Sequence, residues 1–270
     1  MSSSRPPIGP APPRWLKIVV EYDGTAYSGW QRQPAQDTVQ GAIEDALKAI
    51  LRERVPVNGS GRTDSGVHAL GQVASCRVVT RIPSEKLVAA LNGYLPRDIT
   101  VLDVQEAPEG FHARRDALSK LYRYRVLCRP TRPALERYRC HHESRPLDLG
   151  AMRTAGELLV GAHDFRAFAC KVPAGKSCVR TVKCVDIRKE GDYILFDVEA
   201  DGFLQHMVRT IVGTLLEVGL GRRDPDSVRE LLRSGLRSKA GPTAPARGLY
   251  LVRVDYSPYP RDGSGDRHQG

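Results

Sequence analysis

The chain has 270 residues, with 41 Lys plus Arg against 31 Asp plus Glu, a formal net charge of +10. Hydrophobic residues make up 41%, enough for a sizeable core, which excludes a wholly disordered chain. No apolar run reaches the ~18 residues of a membrane span, which excludes an integral helical membrane protein. Such a basic balance points to an acidic partner, most often nucleic acid. The charge is concentrated. Between Phe111 and Arg145 ten Lys or Arg face three Asp or Glu, a net of 10 − 3 = +7. Tyr122, Tyr124 and Tyr138 lie among those cations, and cations with aromatic faces suit RNA or single strands.

In chain order, residues 1–14 are Pro- and Ser-rich and predict a disordered tail. Met1 to Pro13 lacks the apolar centre of a secretory signal, so a cytoplasmic protein is expected. Leu16 to Tyr22 reads as a strand. Asp37 is placed to cap a helix, with Gln40 in the capping-box position and Val39, Ile43, Ala46, Leu47, Ile50 and Leu51 on one face. Gln72 to Thr80 reads as a strand. Ser84 can cap a helix carrying Leu87, Ala90 and Leu91, which Asn92-Gly93 would stop. Ile99 to Val104 closes this half as a strand.

The second half opens on a strand, Lys120 to Cys128, with Tyr122, Tyr124 and Val126 on one face. Asp148 can cap a helix through Met152, Ala155 and Leu159. Thr181 to Arg188 and Tyr193 to Ala200 predict a hairpin turning at Lys189 to Asp192. Phe203 to Val218 reads as a mostly apolar helix. Another starts at Asp224-Pro225, and Leu249 to Tyr256 is a last strand. The class is α+β, with helices covering a sheet. The expected domains are 15–112 and 113–257, with a flexible tail at 258–270.

The sharpest local feature is Asn58 to Ala69, NGSGRTDSGVHA, where three glycines bracket Arg62, Asp64 and His68. Glycines permit tight bends and close ligand approach, so the loop can present Asp64 to a substrate. Equally, Asp64 could only bond its own backbone in a turn. Arg209 lies in a helix apolar on most sides and needs either a partner anion or a path to solvent. If the partner is Asp64, the guanidinium favours the ionised carboxylate that a nucleophile or base requires. Tyr122, on its basic strand, could be core or could stack on a flipped base. His68, His112, His163 and His206 are scattered and read as structural. The six cysteines contain no C-x-x-C pair and predict reduced thiols. Cys170, Cys178, Cys184 and His163 match no standard ligand spacing, so no metal is expected.

Six ordered blocks in residues 15–256 resemble the TruA-type tRNA pseudouridine synthases. They are Tyr22 to Gln31, Gly61 to Ala69, Lys120 to Tyr124, His163 to Phe168, His206 to Arg209 and Ala244 to Leu251. The resemblance implies two related, RRM-like α/β halves with a mixed, mainly antiparallel sheet and the active-site cleft between them. It implies isomerisation of uridine to pseudouridine at positions 38–40 of the tRNA anticodon stem-loop. By position, Asp64 matches the catalytic aspartate and Arg209 its paired arginine. Tyr122 matches the tyrosine packing on the uracil, and Arg62 an RNA-contacting, base-flipping arginine. A homodimer and no cofactor are expected. Ser65 stands where Ala is common and Thr210 where Asn is common; neither change removes an ionisable group.

Overall fold

The computed structural model describes residues 11–172, 175 and 177–258. Most of both expected tails lies outside these residues. The chain runs β1 (Pro13–Tyr22), α1 (Val39–Leu51), β2 (Asn58–Gly59), β3 (His68–Val79), α2 (Ser84–Tyr94) and β4 (Ile99–Ala107). It continues with β5 (Ala117–Cys128), β6 (His141–Glu143), α3 (Leu149–Glu157), β7 (Gly161–Asp164), β8 (Val179–Glu190), β9 (Tyr193–Ala200), α4 (Met207–Gly219), α5 (Ser227–Ser234) and β10 (Leu249–Tyr256).

Among the described residues the strands form one sheet in the order β4-β1-β3-β10-β5-β9-β8-β7. β2 pairs with β3, and β6 with β5. Pairing is antiparallel except at β10–β3 and β5–β6. The parallel β10–β3 seam joins the strands of the two halves, through Tyr250↔His68 and Leu251↔Ala69. Leu251 also pairs with Tyr122. Ala69, Leu251 and Tyr122 therefore form a row across the seam, and two strand spacings of ~4.8 Å separate its ends. That row fixes where the Asn58–Ala69 loop can meet the basic strand.

The core forms on both sides of the seam. Leu16, Ile18, Val20, Ile43, Leu47, Leu87 and Leu91 are buried in the first half. Tyr124, Met152, Phe165, Phe168 and Phe196 are buried in the second. Each such side chain contributes roughly 1.5–3 kcal/mol by leaving water. Tyr122, Tyr124 and Val126 share the buried face, as the alternation predicts.

Several boundaries differ from expectation, each for a local reason. β1 starts at Pro13, inside the expected tail, because Arg14 donates to the Ile82 carbonyl and pairs with Glu106 at 3.3 Å. Proline is tolerated as a first strand residue. Thr38, not Asp37, caps α1, accepting from the Gly41 N–H. Gln40 forms no capping box because its Oε1 already accepts from Gln31 Nε2 and the Arg32 N–H. Ser84 is the first residue of α2 rather than its cap, and its hydroxyl accepts from Arg14. Asn92-Gly93 does not stop α2; the Asn92 side chain instead ties to both backbone groups of Val101 on β4. α4 starts at Met207, four residues later than expected, because His206 takes a left-handed conformation, φ 64°. α5 starts at Ser227, after the Asp224 carboxylate has accepted from the Asp226 N–H.

Candidate active site

The Asp64 loop is held by its backbone. The Thr63 carbonyl accepts from the Trp30 N–H at 3.1 Å, and the Ser65 hydroxyl donates to the Tyr27 carbonyl. The buried Tyr22 and Thr63 hydroxyls lie 2.8 Å apart. Burial pushes the Tyr22 phenol up to about 12, so it stays protonated and can donate. Gly29 makes the approach possible. Its φ is +90°, and a Cβ there would fall 2.5 Å from the Thr63 carbonyl oxygen. Gln72 completes the support by donating to the Gly61 carbonyl and accepting from the Ser60 hydroxyl.

Across the seam, α4 supplies the cation. Arg209 donates from Nη1 to Asp64 Oδ2 at 3.0 Å and from Nε to the Ala244 carbonyl at 2.8 Å. The side chains are 14% and 26% exposed, so the pair is partly screened from water while its carboxylate stays reachable. Asp64 Oδ1 accepts no hydrogen bond from a described residue, leaving one oxygen open. The Ala244 segment can reach Arg209 because it crosses α4 at Gly213, where a Cβ would fall 1.7 Å from the Pro242 carbonyl oxygen.

Tyr122 faces the same region. It is almost fully buried, and Phe203 meets its ring edge-on at 5.0 Å. Burial, followed by Tyr22 and Asp64 nearby, raises its phenol well above the ordinary range, so it is neutral. Tyr124 is core, donating to the Pro245 carbonyl. Arg62 is held at the exposed edge, where Nε donates to Gln31. The fold thus gathers Asp64, Arg209 and Tyr122, with Arg62 on the flank. His206 was read as structural from sequence, yet its Nε2 is 3.4 Å from Asp64 Oδ2. The only sequence signal for it was its place three residues before Arg209. Burial lowers its pKa, against the opposing pull of Asp64, so near neutrality the ring is uncharged.

The basic segment is less available than its composition suggests. Arg123 pairs with Asp197, Arg125 with Glu136, Arg139 with Asp23 and Arg145 with Glu143. Among the described residues no three His, Cys, Asp or Glu side chains gather as metal ligands, and all six cysteines are free thiols. No helix of the described residues is long and apolar enough to cross a membrane.

The family model described as tRNA pseudouridine synthase matches residues 18–116 and 155–257, which include Asp64 and Arg209. The chain belongs to the tRNA pseudouridine synthase family. Its similarity to individual synthases runs nearly end to end. It is 45% identical to tRNA pseudouridine synthase A 2 of Clostridium perfringens over 90% of this chain and all of that one. It is 46% identical to tRNA pseudouridine synthase A of Thermoanaerobacter sp. over the same shares. It is 45% identical to the enzyme of that name from Acetivibrio thermocellus, again over the same shares. Like the family it belongs to, the chain is an isomerase acting on tRNA.

Proposed function

We propose that the chain converts uridine to pseudouridine at positions 38–40 of the tRNA anticodon stem-loop, with Asp64 as nucleophile or base. The observation that carries this reading is the Asp64–Arg209 pair across the seam, with Oδ2 held and Oδ1 open. The reaction breaks the N1–C1′ bond, turns the uracil, joins C5 to C1′ and releases the C5 proton. Asp64 either attacks or removes the proton that starts glycal formation. Arg209 keeps the carboxylate aimed in both cases. The base must first leave its stack, at a cost of a few kcal/mol. Tyr122 offsets part of that cost by packing on the uracil, which replaces the Phe203 edge contact. Arg62 contacts the RNA beside the vacated base.

The two units, 15–112 and 113–257, contribute opposite walls of this cleft. The protein works in the cytoplasm as a homodimer without a cofactor, on the strength of the resemblance.

The test uses tRNA labelled with tritium at uridine C5. Wild type releases tritium, because only base rearrangement exchanges that hydrogen. Asp64→Asn releases none while retaining RNA binding. Tritium release by Asp64→Asn at the wild-type rate would overturn the assignment of Asp64. Free uracil with abasic RNA would replace isomerisation by glycosidic cleavage.

A further inference from the structure

On β5, Lys120 lies two residues before Tyr122 and therefore on the same face of the strand. It is only 8% exposed. Its stem runs beside the glycine that opens the Asp64 loop, with Cε 3.6 Å from the position of a Cβ on Gly61. Its ammonium makes no hydrogen bond or ion pair with any described residue. The next two cations of the same strand behave differently, since Arg123 and Arg125 are each matched to a carboxylate. The Lys120 stem is buried, while Nζ is not among the fully enclosed polar atoms and can meet an anion arriving from solvent.

The groups near Lys120 deepen the mismatch. Burial lowers its pKa first, then Arg114, with Asp201 opposing and Arg180 adding to the lowering. Three cations thus face one carboxylate. Arg180 already spends Nη1 on the carbonyls of Ser177 and Val179. The environment holds more cations than carboxylates.

We propose that Lys120 binds a backbone phosphate of the RNA next to the nucleotide whose base packs on Tyr122. This rests on the tRNA-modifying reading above and gives it a second anchor. The span fits, since two residues along a strand cover ~7 Å, comparable to the reach from a base to its own phosphate. A phosphate supplies the missing charge and several acceptor oxygens for an ammonium with three donors. Lys120 is a positioning residue. It fixes the ribose relative to Asp64 and takes no part in bond breaking.

The experiment compares Asp64→Asn with Asp64→Asn/Lys120→Met for binding an anticodon stem-loop RNA across a KCl series. Methionine keeps length and removes charge. The double variant should bind about tenfold or more weakly at low salt, as loss of a charge-assisted hydrogen bond predicts. Its slope of log Kd against log[KCl] should fall by roughly 0.7–0.9, one phosphate contact. Replacing single phosphates by methylphosphonates should reveal one position that weakens Asp64→Asn but not the double variant. With Asp64 intact, Lys120→Met should raise KM far more than it lowers kcat. Its Tm should hold, because Lys120 makes no ion pair with a described residue whose loss would destabilise the fold. An unchanged salt slope and KM, or a fall in kcat or Tm alone, would overturn the inference. Those results with an active wild type defeat only the Lys120 assignment. A wild type that makes no pseudouridine defeats the functional reading, and the salt slope still reports on the phosphate contact.

Discussion

The two partners of the central ion pair are supported in opposite ways. Asp64 stands on a loop fixed through its neighbours, by the Thr63 carbonyl and Val67 N–H of the main chain and by the Thr63 and Ser65 hydroxyls. Arg209 stands on α4, a helix buried on nearly every side, and is oriented through its side chain by the Ala244 carbonyl. A loop set by backbone bonds leaves its side chain free to meet a substrate. A buried helix anchors the residue that must not move. On the proposed reading the difference also divides the chemistry, since the reachable oxygen belongs to the loop and the fixed charge to the helix.

With Asp64 kept, removing the helix partner should have the largest effect. Arg209→Ala takes away both the Asp64 contact and the Ala244 tie, and kcat should fall about 10²–10³-fold, the scale for a lost preorganised donor. Arg209→Lys should recover little of it. An ammonium is a point charge and cannot reproduce the two-ended geometry, with Nε on a carbonyl and Nη1 on a carboxylate. Single-turnover tritium release checks both. A lysine variant at the wild-type rate would mean that charge alone suffices.

The two close approaches test the supports themselves. Gly213→Ala places a methyl 1.7 Å from the Pro242 carbonyl oxygen, with backbone on both sides. The segment must move away from α4, costing about 1–3 kcal/mol or more. Gly29→Ala combines a positive φ with a 2.5 Å approach to the Thr63 carbonyl oxygen, less close than the approach at Gly213. The strain should be about 1–2 kcal/mol, with kcat lowered as Asp64 is displaced. Urea unfolding should rank Gly213→Ala as the more destabilised. The reverse order would make the loop, not the helix, the stiffer support.

This contrast also governs what could be seen in sequence. The loop is local, so its glycines and Asp64 form one contiguous pattern. The helix contact is not local, since Arg209 and Asp64 are 145 residues apart. The residue pattern alone left Arg209 with either a partner anion or a path to solvent, and its pairing with Asp64 came from the resemblance. Most strands were legible because alternation and β-branching are local, and β10 matches its expected span of Leu249–Tyr256. Element starts were less so. The Thr38 cap and the shift of α4 to Met207 depend on where neighbouring side chains are already committed. The basic segment misled in part for the same reason. Composition counts Arg123 and Arg139 as available, whereas Asp197 and Asp23, distant in sequence, neutralise them. His206, read as structural from sequence, meets Asp64 through its left-handed turn.

The smallest effect is a pH dependence that both supports share. His68 closes the loop side, with Nδ1 accepting from the Gly24 N–H and Nε2 meeting the Tyr138 carbonyl, an arrangement that fits a neutral ring protonated at Nε2. His206 opens the helix side. Burial is the leading cause of a lowered pKa in both, and in His141. In the unfolded chain each binds its proton near the ordinary 6.5. In the folded chain protonation is deferred to lower pH. Between those two values the unfolded state holds more protons, so stability is complete above pH 6.5 and declines as pH falls towards the folded values. The urea midpoint should therefore drop between pH 7 and pH 5, before most carboxylates titrate. His206→Gln should flatten part of that decline, because Asp64 offsets only some of the burial cost at this position. His68→Gln should flatten a separate part. Its Asp23 neighbour at 3.1 Å is ready to take a proton on Nδ1, but only by displacing the Gly24 N–H that now occupies it. A midpoint independent of pH over this range would show that the rings bind protons alike in the folded and unfolded chains, and by pH 5 Asp64 would then face two cations rather than one.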